Sequence, residues 1–203
     1  MQNISFTSKI NFVPHSTFTY RTMLSFPRYL ATNGNVVTQR SVFTKYLCDC
    51  TALFFVSENK IVNAFHFFNN NYKKTSEHLE KILDKQLKEY NVAKGLVIGG
   101  KDLRERQSSL EVFQRVLEKL NDFSGDVSVF KNQQEYGCTD VHYSPKKDTY
   151  TIYSHFGSNS FRFVESVKNL KKAFKKIYIA PQDELYIKGE LVSKEKYPEL
   201  FRN

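Results

Sequence analysis

Residues 44–68, TKYLCDCTALFFVSENKIVNAFHFF, contain two apolar runs, 46–56 and 61–68, joined at SENK. Runs of this kind read as two neighbouring core strands, which commits the chain to a β-containing core. Cys48, Cys50 and His66 interrupt that apolar character, so the stretch is either core that contains polar atoms or a place for chemistry. Strand side chains alternate between faces, which puts Cys48, Cys50, Ala52 and Phe54 on one side. Val62, Ala64, His66 and Phe68 likewise share a side of the next strand. A loop of three residues (57–59) or five (56–60) sets Cys50 directly opposite His66, with Cβ atoms roughly 4.5–5.5 Å apart. A loop of four would put them on opposite faces.

The rest of the chain alternates strand and helix signals. ISFTSKINFV is strand material, followed by the breakers Pro14, Pro27, Asn33 and Gly34. A helix is expected over 76–90, with Leu79, Ile82, Leu83, Leu87 and Tyr90 on one face and Ser76 as N-cap. AKGLVIGG (93–100) has the pattern of a buried strand. A second helix is expected to open on the capping box Ser108-x-x-Glu111, with Leu110, Phe113, Leu117 and Leu120 inward. DVSVF follows as a strand, and CTDVHYS and DTYTIYS form a hairpin through SPKKD. A third helix is expected around 161–176, setting Phe163, Val167, Leu170 and Phe174 against a lysine face. ELYIKGELVSKEKYPELF closes the domain as a short hairpin. The expected class is one mixed α/β (α+β) domain spanning 1–203, with mixed β-sheets packed against helices.

Composition narrows the function. With 203 residues the chain can bury a full core as one domain. It has no apolar run of 18 residues, so no transmembrane helix is expected. The start, MQNISFTSKINFV, lacks a basic segment followed by an apolar stretch, so a cytoplasmic location is expected, with delivery to another cell by a signal-independent machine as the alternative. Three cysteines (Cys48, Cys50, Cys138) are too few and too odd in number for a disulfide framework, so they are expected to be reduced. The net charge of +9 favours an acidic partner, such as an acidic protein surface, nucleic acid or anionic membrane. KNLKKAFKK (168–176) is its densest cluster. No recognised aromatic or arginine motif marks a specific nucleic-acid site.

A thiolate is a nucleophile and a thiol is not, and a neighbouring imidazole can both lower a cysteine pKa and protonate a leaving amine. Zinc fits less well: Cys48-x-Cys50 with His66 lacks the usual Cys-x-x-Cys spacing and a fourth ligand. Gly99-Gly100 has no surrounding phosphate-loop pattern and reads as a strand-end turn. Cys138 reads as a small apolar filler, His142, His155, His15 and His78 as surface or packing residues, and Gln133 and Gln134 as residues that could line a cleft.

Thr44 lies six residues before Cys50, and His66 sixteen after it. Thr-x5-Cys followed by a histidine on the next strand resembles the active site of the chemoreceptor glutamine deamidases of bacterial chemotaxis. It also resembles glutamine-deamidating toxins of the cytotoxic necrotizing factor type. LVIGGKDLRERQSSLEVFQRVLEKL and DVSVFKNQQEYGCTDVHYSPKKDTYTI are similar to the family's following strand, Gly-Gly, helix and closing strands. The resemblance covers about 42–153, leaving 1–41 and 154–203 as additions. It implies a deamidase-like β-sandwich, Cys50 as nucleophile, His66 as its base and acid, and Thr44 as the residue orienting His66. It further implies no metal or organic cofactor, and a partner protein presenting a glutamine, with transglutamination as a side activity. The chemotaxis enzymes carry Gly and Ser before the nucleophile, where this chain has Cys48 and Asp49. Cys48 is thus an alternative nucleophile, and Asp49 would oppose thiolate formation if a bulge turned it toward Cys50. The rival readings are an inactive binding module of the same fold and a basic nucleic-acid- or acidic-protein-binding protein.

Overall fold

The computed structural model describes residues 7–13, 28–68, 73–90, 92–101, 107–121, 123, 125–132, 138–154 and 164–201, and among these thirteen strands form two stacked sheets. In chain order the strands are β1 (Lys9–Val13), β2 (Arg28–Tyr29), β3 (Gly34–Thr38), β4 (Val42–Leu47), β5 (Thr51–Ser57), β6 (Val62–Phe67) and β7 (Val92–Gly99). They continue with β8 (Asp126–Asn132), β9 (Thr139–Ser144), β10 (Thr149–Ser154), β11 (Phe174–Tyr178), β12 (Glu184–Ile187) and β13 (Glu190–Leu191). The helices are α1 (Lys73–Glu89), α2 (Gln107–Lys119) and α3 (Val167–Ala173). Sheet I runs β13-β12-β1-β10-β9-β4-β2, and sheet II runs β11-β8-β7-β5-β6-β3. The expected α+β class with mixed sheets is what the chain adopts.

The continuous apolar run of β5 follows from its place in sheet II, which is covered on both faces. Ala52, Phe54 and Val56 enter the core between the sheets, with Phe12, Phe130, Tyr143, Tyr150 and Ile152. Leu53 and Phe55 point the other way and join Phe65, Phe67, Leu79, Leu83, Phe113 and Val116 under α1 and α2. Burying each such side chain stabilises the fold by about 1.5–3 kcal/mol, so β5 anchors both cores.

The terminal segments complete the sheets. β1 lies inside sheet I, parallel to β10 on one side and β12 on the other. β3 and β11 form the two edges of sheet II. The helix boundaries differ from expectation: α1 starts before Ser76 and α2 before Ser108, so neither serine is the N-cap. Of the segment expected to be helical over 161–176, residues 161–163, including Phe163, lie outside the described residues; the described part is helical over α3, whose N-cap is Ser166, and then continues as β11.

At one end of the sandwich the sheets are tied by a buried polar cluster. The Lys94 ammonium of β7 pairs with Asp148, in the β9–β10 turn. Asp148 Oδ1 also accepts from Ser8 Oγ and from Tyr143 OH, each at 2.9 Å. Asp183 accepts from Ser8 N at 3.0 Å and from Ser128 Oγ at 2.9 Å. Burial pushes the Asp183 carboxyl up to about 6.

Candidate active site

The run 46–56, expected as one strand, is broken. β4 belongs to sheet I and β5 to sheet II, so residues 48–50 are the corner where the chain crosses between sheets. The approach is distorted: a bulge interrupts the β4–β9 ladder between Thr44 and Leu47, and Tyr46 sits there at φ 60, a left-handed conformation. Such backbone is costly for a non-glycine residue and must be held by its surroundings. Here Tyr46 N donates to Asp140 Oδ1 at 3.1 Å, and Cys48 N to Tyr46 O at 2.7 Å.

Cys48 and Cys138 are joined by a disulfide, with Cα atoms 4.1 Å apart. Leu47 pairs with Thr139 in the ladder, so the next residues outward, 48 and 138, meet across the end of the β4–β9 pair. This corrects three expectations. Two of the three cysteines are not reduced, Cys138 is a covalent staple rather than a filler, and Cys48 is not available as an alternative nucleophile while the bond stands. Cys50 is the thiol outside the disulfide.

The β5–β6 hairpin turns through residues 58–60, with Ser57 N donating to Ile61 O at 3.0 Å and Lys60 at φ 59. Its centre lies one residue later than expected, so Ala52, not Cys50, is directly opposite His66. The shift preserves parity. Cys50 precedes the strand by one residue, two positions before Ala52, which pairs with His66. Cys50 belongs to the core between the sheets.

His66 reaches across that core to sheet I. Its Nδ1 lies 2.8 Å from Thr44 Oγ1 on β4, and the same hydroxyl donates to Leu30 O at 2.9 Å. A threonine hydroxyl has one proton, and the carbonyl can only accept. With that proton committed to Leu30, the imidazole must donate Nδ1–H to Thr44. The lone pair is therefore on Nε2, which is buried and has no hydrogen-bond partner among the described residues. His66 is only 1% exposed. Burial pushes its pKa down to about 4, so the ring is neutral at pH 7. Threonine fixes the tautomer, and the basic nitrogen is left for another proton. This is the arrangement a general base requires.

Cys50 is 5% exposed and is backed by the end of β7. A Cβ on Gly99 would lie 2.5 Å from Cys50 O and 2.7 Å from Thr51 Cα, so only glycine lets the two backbones come this close. Gly100, at φ 70, is closed from the other side by Phe113 of α2, which a Cβ would meet at 2.4 Å. The Gly-Gly pair thus clamps the Cys50 corner against the helix layer. The next residue, Lys101, is 4% exposed. Its ammonium lies 3.6 Å from Asp49 Oδ1, and its backbone N donates to Ser109 Oγ at 2.8 Å. The Lys101–Asp49 pair went unseen in the sequence, because 52 residues and the hairpin register separate its members.

Among the other sequence candidates, His78 is exposed on α1. His142 lies on the face of β9 away from the core, where burial and Lys147 hold its pKa at about 4. His15, His155, Gln133 and Gln134 lie outside the described residues. No group of three metal-binding side chains occurs among the described residues. Two surface cavities, of about 550 and 410 Å³, lie at the α2–β11 edge and beside residues 182–195, away from Cys50. No helix among the described residues is long and apolar enough to cross a membrane. No protein-family model matches this sequence, and no curated protein is significantly similar to it.

Proposed function

We propose that the chain is a cysteine-dependent protein glutamine deamidase, with Cys50 as nucleophile, His66 as base and acid, and Thr44 as the residue that orients His66. The observation that supports this reading best is the Thr44–His66 hydrogen bond, which leaves Nε2 as an unpartnered lone pair within the core that Cys50 also enters. Nε2 takes the Cys50 proton, and the thiolate attacks the carboxamide carbon of a glutamine on a partner protein. As the tetrahedral intermediate collapses, the C–N bond breaks and His66 returns the proton to the departing ammonia, leaving a thioester. Water gives a proton to His66 and attacks the thioester carbonyl. The C–S bond breaks, the thiol is reprotonated, and glutamate is released. An amine in place of water would give transglutamination. The partner is a protein with an exposed glutamine, drawn by its acidic surface to a chain of net charge +9.

The near-complete burial of Cys50 and His66 favours a second reading, an inactive binding module built on the same scaffold. One experiment separates the two. The native protein, without reductant, is treated with iodoacetamide at pH 6.5, and ammonia release from carbobenzoxy-Gln-Gly is followed in parallel. The deamidase reading expects Cys50 to be alkylated, with both alkylation and ammonia release falling about a hundredfold in His66→Ala. Labelling of Cys50 only after denaturation, with no ammonia released, would sink it and leave the binding module.

A further inference from the structure

Asp49 is the departure from the deamidase pattern that bears hardest on a nucleophile at Cys50. A carboxylate next to a thiol disfavours the thiolate, and a cation nearby favours it. The protein sets a cation beside this carboxylate. Lys101 is almost fully buried, where a lysine is found only when paired, and its ammonium lies 3.6 Å from Asp49 Oδ1. The lysine is delivered there by the segment that already touches Cys50. Gly99 packs on the Cys50 carbonyl, Gly100 is wedged under Phe113, and the Lys101 backbone is tied to Ser109 of α2.

We infer that Lys101 is a positioning residue, whose ammonium holds and neutralises the Asp49 carboxylate so that it does not oppose formation of the Cys50 thiolate. The inference rests on the reading of Cys50 as the nucleophile. The charged and titratable groups that bear on Cys50 among the described residues are Asp49 in its own corner, Lys101 from the end of β7, and His66 from β6. His66 is neutral at pH 7 and contributes a proton acceptor rather than a charge, so Lys101 and Asp49 are the charged groups that the described residues bring to this corner. The Lys45–Asp140 pair, at 4.0 Å, lies on the face of sheet I away from the core.

The test is the pH dependence of Cys50 alkylation by iodoacetamide, in the full chain with its disulfide intact, because the midpoint reads the thiol directly and needs no substrate. Lys101→Met keeps the length and packing of the side chain and removes the charge. Its midpoint is expected to rise by about one pH unit, making labelling at pH 6.5 about tenfold slower. Lys101→Arg should stay near the wild type. Asp49→Asn should move the midpoint down, and the double variant Lys101→Met/Asp49→Asn should return it to near the wild-type value. A purely structural role for Lys101 would slow labelling at every pH without moving the midpoint, and the double variant would not recover; either result overturns the inference. If Lys101→Met does not fold, Asp49→Asn alone decides, and an unmoved midpoint overturns the inference. The two proposals fail separately. Loss of dependence on His66 with the midpoint shifts intact removes the deamidase reading only, whereas unmoved midpoints with His66 dependence intact remove only the role of Lys101.

Discussion

The two ends of the sandwich solve the same problem in opposite ways. At the Lys94 end, the buried acceptors of Asp148 and Asp183 are supplied with donors from both sheets: Ser8 of β1's approach, Tyr143 of β9, Ser128 of β8 and Lys94 of β7. At the Cys50 end the sheets are also bridged, by Thr44 and His66, but the bridge stops at Nδ1 and leaves Nε2 unmatched. A buried polar group without a partner costs about 1–3 kcal/mol, so a protein selected for stability alone gains by closing it. Satisfied networks hold sheets together. Tyr150 OH, packed on Tyr143 at the Lys94 end, is likewise without a partner among the described residues; His66 Nε2 differs in being a basic nitrogen whose tautomer its Thr44 bond fixes.

The contrast can be broken at several points. The largest effect is expected from removing the staple: Cys48→Ser/Cys138→Ser opens a bond that spans 90 residues and should cost about 4 kcal/mol in chemical denaturation. Next is Asp148→Ala, which removes the carboxylate paired with the buried Lys94 ammonium and should cost about 3 kcal/mol while leaving Cys50 alkylation unchanged. A simultaneous loss of Cys50 reactivity would mean the two ends are coupled. The third test uses pH. His66 is depressed to about 4, so its contribution is complete above its unfolded pKa near 6.5 and is lost as pH falls toward 4, about 3 kcal/mol in all. His142 acts with the same sign. Asp183 is raised to about 6, so its contribution is present below its unfolded value of 3.8 and is lost as pH rises through 6. Denaturation between pH 4 and 6.5 should therefore show a steeper acid loss in Asp183→Asn than in the wild type, and a flatter one in His66→Gln. The smallest stability change belongs to Thr44→Val, about 1 kcal/mol, but it should sharply slow Cys50 alkylation by freeing the imidazole tautomer.

Much of this architecture was readable from side-chain pattern. AKGLVIGG, the SPKKD hairpin and the closing hairpin all carry local signals that tertiary structure did not override. The corner at 48–50 left none, because both flanking strands are buried and the chain stays apolar while it changes sheet. The lysine-rich segment misled for a specific reason. Val167 and Leu170 are buried from α3, and Phe174, buried as the first residue of β11, falls at the next helical interval, so the periodicity runs past the point where the backbone becomes extended. Its lysines are largely solvated, Lys171 pairing with Glu199 and Lys176 lying 4.9 Å from the Tyr178 ring centre. Cys50 and His66 are paired by strand alternation and loop length, and Thr44 joins them through the resemblance. The geometry brings Thr44 and His66 into contact and offsets Cys50 by two residues, since a one-residue error in the hairpin centre moves every pairing by two. The disulfide could not be read, because Cys48 and Cys138 meet only through the β4–β9 register.

The position of β1 has a consequence for the order of assembly. The four central strands of sheet II, β5 to β8, come from residues 51–132, so that sheet and the helices covering it can form from one continuous stretch. Sheet I cannot. Lys9 pairs with Thr149 on one side and with Glu184 on the other, so β1 waits for partners 140 and 175 residues further along the chain. Loop closure of that length is slow, and topologies dominated by such pairings fold slowly. During synthesis β1 presents two unpaired strand edges until β10 and β12 have been made. This topology predicts the helix-covered half as the early scaffold, with Thr44 on β4 brought up to His66 when sheet I closes over it. The Thr44–His66 bond is then expected to form late and to report the closure of the two sheets.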